Sequence, residues 1–90
     1  MKIVWDEPKR QTNLATHRFD LADAEAFDWD DAVIMPGYSG REGRRRYKAV
    51  GWLDEKFVTI VFSPLGTEAI SVISMRAASR QERKQYEKAT

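Results

Sequence analysis

The period of the apolar positions changes repeatedly along the chain, and each change predicts an element. "KIVWD" alternates, with Ile3 and Trp5 on one side, and reads as a short first strand. Asp6 then offers N-cap chemistry, and Pro8 stands near the first helical position, where a missing N–H costs nothing. A helix is expected from about Glu7 to His17. It has an odd composition: Leu14 is its one strongly apolar residue, while Lys9, Asn13 and His17 recur every four positions on one face. "FDLADAEAFD" follows, with Asp20 as a second cap and Leu21, Ala24 and Phe27 at helical spacing. It predicts a second short helix of about two turns. The brief apolar run Ala32–Met35 is a candidate strand, and Pro36, Gly37, Gly40 and Gly43 mark a loop.

The middle of the chain is a meander. "RRYKAVGWL" and "KFVTIVFS" are separated by Asp54-Glu55, a link that suits a hairpin. In the second segment Phe57, Thr59 and Val61 oppose Val58, Ile60 and Phe62, both sets mostly apolar, so this strand should be central and covered on both faces. "EAISVISM" alternates Ile70, Val72 and Ser74 against Ser71, Ile73 and Met75. Ser79 and Glu82 have capping-box spacing, which starts a terminal helix near Arg80. The expectation is one α+β domain over residues 1–90. Its antiparallel sheet should have about four strands, with two N-terminal helices and a C-terminal helix.

Composition narrows the chemistry. Ninety residues bury a small core, and 42% hydrophobic with 32% charged residues is ordinary for a globular domain. The absence of cysteine excludes disulfides and thiolate sites. No apolar run reaches the roughly 20 residues of a membrane span, and no signal-peptide core is present, so the cytoplasm is the expected location. The net charge of +1 hides a polarity: residues 1–31 balance to −4, residues 32–60 to +3 and residues 61–90 to +2. Such a division suits a surface that meets a polyanion, or simply an uneven solvated one.

Three constellations carry candidate chemistry. Lys9, Asn13 and His17 offer a fixed cation, a neutral donor and acceptor, and a group that titrates near neutral pH, an inventory for holding a phosphate and moving a proton. The stripe equally fits a solvated face with a histidine near the helix C-terminus. Arg76 stands at a strand end between Met75 and Ala77, where a guanidinium needs an anion or carbonyl partner. Arg80, Glu82, Arg83, Lys84 and Tyr86 follow on the terminal helix, close enough for some charges to pair within it. "SGREGRRRYKAV" interleaves arginines with glycines: Arg44, Arg45 and Arg46 can take phosphate bidentately and Tyr47 can stack on a base. Arg83 and Lys84 add to this expected RNA-binding set. No metal site or cofactor is expected, since Asp28, Asp30 and Asp31 lack calcium-loop spacing and no phosphate-loop or dinucleotide pattern occurs.

Taken in order, "VWDEPKRQTNLATH", "RRYKAVGW" and "ISVISMRAASRQERKQYE" resemble the BrnT-type toxins of bacterial type II toxin–antitoxin modules, over nearly the whole chain. The resemblance implies a RelE-like fold and a ribonuclease that slows translation. It also implies a cognate antitoxin, usually a ribbon-helix-helix DNA-binding protein, through which alone the toxin meets DNA. The family motif positions fall on Lys9, Asn13, His17, Arg46, Arg76, Arg80, Glu82 and Tyr86. Thr16 stands where the family has a basic residue and Arg18 where it has glycine.

For a nuclease of this kind, RNA supplies the 2′-hydroxyl as nucleophile. The protein must supply a base, an acid and cations for the phosphorane, with no metal required. The expected catalytic set is Lys9, His17, Arg76, Arg80, Glu82 and Tyr86. His17 or Glu82 moves a proton, Arg76 with Lys9 and Arg80 stabilises the phosphate, and Tyr86 positions the substrate. Asn13 or His17 can instead tie the first helix to the sheet. The alternatives are an inactive homologue that serves as the antitoxin's partner, and a non-catalytic RNA- or ribosome-binding domain.

Overall fold

The computed structural model describes residues 1–38 and 43–90. Gly40 and Arg41 of the basic loop lie outside them. The elements are β1 (Lys2–Trp5), α1 (Glu7–His17), a 3₁₀ turn (Leu21–Glu25), β2 (Val33–Pro36), β3 (Tyr47–Leu53), β4 (Lys56–Leu65), β5 (Ala69–Ala77) and α2 (Arg80–Ala89). They build one five-stranded sheet in the order β1-β5-β4-β3-β2. β4 is central, as its two apolar faces require.

Two sequence expectations are corrected. The sheet is mixed and has five strands, because β1 pairs parallel to β5, with Ile3 opposite Ile70 and Trp5 opposite Val72. That pairing joins the two ends of the chain, and local pattern carries no information about it. The second correction is that there is one N-terminal helix, not two. Leu21, Ala24 and Phe27 repeat every three residues, the period of a 3₁₀ turn, and the bonds Asp23 N–H to Asp20 O and Ala26 N–H to Asp23 O close i to i+3. With Asp20 capping it, the segment ends after five residues.

The helix caps follow the sequence. Asp6 accepts from Lys9 N–H, and Ser79 and Glu82 form a reciprocal capping box at the start of α2. Asp54 turns the β3–β4 hairpin at a positive φ of 53°.

One sheet face carries the core. Val58, Ile60 and Phe62 of β4 meet Ala49 and Leu53 of β3 and Ile70, Val72 and Met75 of β5. The 3₁₀ turn lies across them with Leu21, Ala24 and Phe27, and each fully buried side chain of Leu size contributes about 1.5–3 kcal/mol. Gly51 makes room for this layer, since a Cβ there would come within 3.1 Å of the Phe27 ring. Edge-to-face contacts from Phe27 to Trp29 and from Trp29 to Phe62 extend the layer, and Trp29 Nε1 donates to Ala24 O at 2.8 Å.

A β-bulge decides what the other face presents. Val61 pairs with Ser74 and Phe62 with Val72, so Ile73 is an extra residue and the alternation of β5 slips. Ile70, Val72 and Met75 therefore share the core face, a grouping that strict alternation does not give. Cross-strand rows Lys48–Val61–Ser74 and Val50–Thr59–Arg76 look the opposite way. α2 covers only part of that second face, through Glu82 and Tyr86.

Candidate active site

α1 runs along the edge of β5 beyond the end of β1, and Asn13 holds it there. The Asn13 carboxamide accepts from Met75 N–H at 3.1 Å and donates to Met75 O and Phe19 O, each at 2.9 Å. Asn13 is buried, while Lys9 and His17 of the same stripe are exposed. The stripe therefore has two jobs: its centre is an anchor and its ends are free.

Those ends border a hollow of about 520 Å³ on the second sheet face. Lys9, Thr12, Thr16 and His17 form the α1 wall, Ile73 and Ser74 the floor, and Arg46 the far side. Among the described residues no carboxylate lines it, and neither Lys9 nor Arg46 enters an ion pair. The result is a concave, cationic, hydroxyl-bearing surface with an imidazole at one end, which can bind a phosphodiester and exchange a proton with it.

Arg76 projects from the same face of β5, two residues or about 7 Å along the strand from Ser74. It does not line the hollow. Its Nη1 and Nη2 donate to the two carboxylate oxygens of Glu82, each at 2.8 Å. Thr59 Oγ1 at 2.8 Å, Lys48 Nζ at 3.0 Å and the Ser79 N–H at 2.8 Å also donate to that carboxylate. Glu82 is 4% exposed. The hydrogen bonds from Arg76 above all, then those from Ser79, Lys48 and Thr59, hold its carboxyl far below the usual carboxylate range against the opposing effect of burial. A carboxylate so saturated stays ionised and is a poor proton acceptor, so Glu82 acts as an anchor that orients Arg76. Reciprocally, the bonds to Glu82 raise the Arg76 pKa despite burial, and the guanidinium keeps further N–H groups beyond the two that Glu82 takes.

The remaining expected residues are spread more widely. Tyr86 packs its ring edge-on to Phe57 and donates its hydroxyl to Asp31 at 3.0 Å, with burial and then Asp31 pushing the phenol's pKa up. Arg83 lies over the Trp52 and Phe57 rings, 5.8 and 5.0 Å from their centroids. Arg80 and Lys84 are exposed on α2. None of these four borders the hollow. Arg44 and Arg45 precede β3 near Ser63, whose hydroxyl donates to Arg45 O at 2.6 Å. The Tyr47 ring is stacked on Phe62, so one of its faces is already taken by the core.

Sequence reasoning missed Thr12, Thr16, Ser74 and Lys48. Thr12 and Thr16 were accessible to it, since they flank Asn13 at helical spacing. A lysine inside an otherwise apolar strand also demands a counter-ion, which is the signal Lys48 carried. Ser74 was hidden by the bulge.

This geometry has known relatives. The family model described as "Ribonuclease toxin, BrnT, of type II toxin-antitoxin system" matches residues 5–82. The crystal structure of the Brucella abortus ribonuclease toxin BrnT is similar at 43% sequence identity and a TM-score of 0.73, covering 89% of this chain and 99% of that one. No curated protein sequence matches the chain. A match over most of the sequence, joined to the same fold at that identity, places the chain in the BrnT family of ribonuclease toxins of type II toxin–antitoxin systems.

Proposed function

We propose that the hollow between α1 and β5 is the cutting site of an endoribonuclease that works without a metal ion. The observation that carries this reading is the shared lining: Lys9 and His17 of the α1 wall border the same hollow as Arg46 and Ser74. A divalent cation is held by carboxylate and carbonyl oxygens, whereas this lining supplies cations and hydroxyls. Such a surface complements the substrate's own charge.

In the proposed reaction the 2′-hydroxyl oxygen attacks the adjacent phosphorus and the bond to the 5′-oxygen breaks. The products are a 2′,3′-cyclic phosphate and a free 5′-hydroxyl. His17 takes the 2′-hydroxyl proton as the new P–O bond forms and gives a proton to the departing 5′-oxygen, while Lys9 and Arg46 neutralise the extra charge on the phosphorane. Arg76, pinned by Glu82 outside the hollow on the same sheet face, adds positive charge beside it. Cleavage of RNA in the cytoplasm would slow translation. A cognate antitoxin, of ribbon-helix-helix type as the resemblance implies, would neutralise the toxin by filling the same cationic cleft with acidic groups.

The test is incubation of the purified protein with an end-labelled RNA, with and without EDTA, followed by analysis of the new ends. The expected result is EDTA-resistant cleavage with cyclic or 3′-phosphate ends, lost in His17→Ala and Lys9→Ala. EDTA-sensitive cleavage leaving 5′-phosphates overturns the mechanism. Intact RNA with the wild type, alongside tight capture of the antitoxin, favours the inactive interaction module.

A further inference from the structure

A second recess adjoins the hollow, sharing Lys9, Arg46 and Ile73 with it but not His17. Lys9, Arg44 and Arg46 surround it, with Ser63 and Ser71 at its floor. Those serines are cross-strand partners on β4 and β5, so their hydroxyls lie side by side on the second face of the sheet. Ser63 already spends its proton on Arg45 O and keeps its lone pairs, while Ser71 has no such bond among the described residues. The recess measures about 70 Å³. That is the liquid volume of about two water molecules, which suits a phosphate group and not a nucleobase. Among the described residues no carboxylate lines it, and none pairs with Lys9, Arg44 or Arg46.

We propose that this recess is a second phosphate subsite, so that the cleft grips two consecutive phosphates of single-stranded RNA, only one of them at the point of cutting. The proposal rests on the RNA-cutting reading above. Lys9 and Arg46 line both recesses and sit between the two phosphates, while Arg44 belongs to the second alone. The substrate class is therefore an RNA with at least one phosphodiester beyond the scissile one. A dinucleotide with a single phosphate leaves Arg44 unused.

Binding of uncuttable 2′-O-methyl oligonucleotides tests this by calorimetry at about 50 mM salt, where phosphate contacts are weakly screened. Three probes are compared: a dinucleotide, a trinucleotide with two phosphodiesters, and a trinucleotide whose outer linkage is a neutral methylphosphonate. The wild type should bind the charged trinucleotide about tenfold more tightly than the neutral one, the size of one charge-assisted contact. Arg44→Ala, checked for folding by circular dichroism, should reduce that ratio to about twofold or less, while Lys88→Ala on α2 leaves it intact. Equal binding of charged and neutral trinucleotides by the wild type overturns the subsite, as does a ratio unaffected by Arg44→Ala. The two readings fail separately. RNA left uncut while the charge ratio holds removes the cleavage and keeps the subsite; RNA cut while the ratio is one removes the subsite alone.

Discussion

Asn13 completes the β5 edge at Met75. Its carboxamide takes both the N–H and the carbonyl of that residue, at 3.1 and 2.9 Å, which are the bonds a neighbouring strand makes. β1 ends at Trp5, opposite Val72, and α1 begins two residues later. One primary amide on a helix thus continues the pairing that the strand has dropped, and it sets the distance between the α1 wall and the β5 floor.

Truncating that amide leaves the two buried backbone groups of Met75, and the half-buried Phe19 carbonyl, short of a partner. Asn13→Ala should cost about 2–3 kcal/mol in urea unfolding. Asn13→Asp should be worse near neutral pH, because a carboxylate oxygen replaces the donor facing Met75 O and Phe19 O. The folded state of that variant favours the protonated acid, so its stability relative to wild type should improve as the pH falls. An Asp variant as stable as wild type near pH 7 would refute the strand-mimic role.

Glu82 gives the fold an acid limit. Unfolded, it titrates near the ordinary value of 4.5; folded, the bonds led by Arg76 hold it far lower. Above the unfolded value both states are ionised and the stabilisation is complete. It is lost as the pH falls from there toward the folded value, because the unfolded chain binds the proton first. Urea midpoints should therefore decline steadily below about pH 4.5 in the wild type. Glu82→Gln should start about 3 kcal/mol weaker at neutral pH, having stranded Arg76 and Lys48, and should decline less steeply in acid.

How much of this was visible in the sequence depended on whether the cause was local. The caps Asp6, Asp20 and Ser79, the α1 limits and the β3–β4 hairpin follow from adjacent residues, and the structure has them where the pattern puts them. The β1–β5 pairing joins opposite ends of the chain, and no periodicity reports it. The bulge at Ile73 is equally silent, yet it sends Met75 into the core and Ser74 and Arg76 to the other face. Polar residues at helical spacing marked α1 as unusual. Their spacing alone did not distinguish the buried anchor Asn13 from the exposed Lys9 and His17.

The cleft predicts a separation of activity from stability. Lys9 and His17 are exposed, so Lys9→Ala and His17→Ala should leave the unfolding midpoint within about 0.5 kcal/mol of wild type. Each should lower kcat/KM for RNA cleavage by about 100-fold, the usual effect of losing a proton-transfer group or a transition-state cation. Retained cleavage in His17→Ala would move the proton role elsewhere in the lining.

Arg18 holds a backbone conformation that glycine adopts at no steric cost. It caps the C-terminus of α1 at φ 65° and ψ 21°, in the left-handed region, with its N–H bonded to Leu14 O at 3.1 Å. A side chain there costs about 1–2 kcal/mol that glycine avoids, partly offset by glycine's greater freedom when unfolded. Arg18→Gly should therefore gain about 0.5–1 kcal/mol, raising Tm by about 2–8 °C for a domain of this length. Arg18→Ala is the decisive companion, because it removes the charge and keeps the strained Cβ. If strain is the cause, Ala leaves Tm nearly unchanged and Gly alone raises it. Equal gains from both variants would instead point to the arginine side chain. Arg18 lines neither cationic recess, so RNA binding should be unaltered in the Gly variant, and a change in it would show that the cap also sets the position of His17.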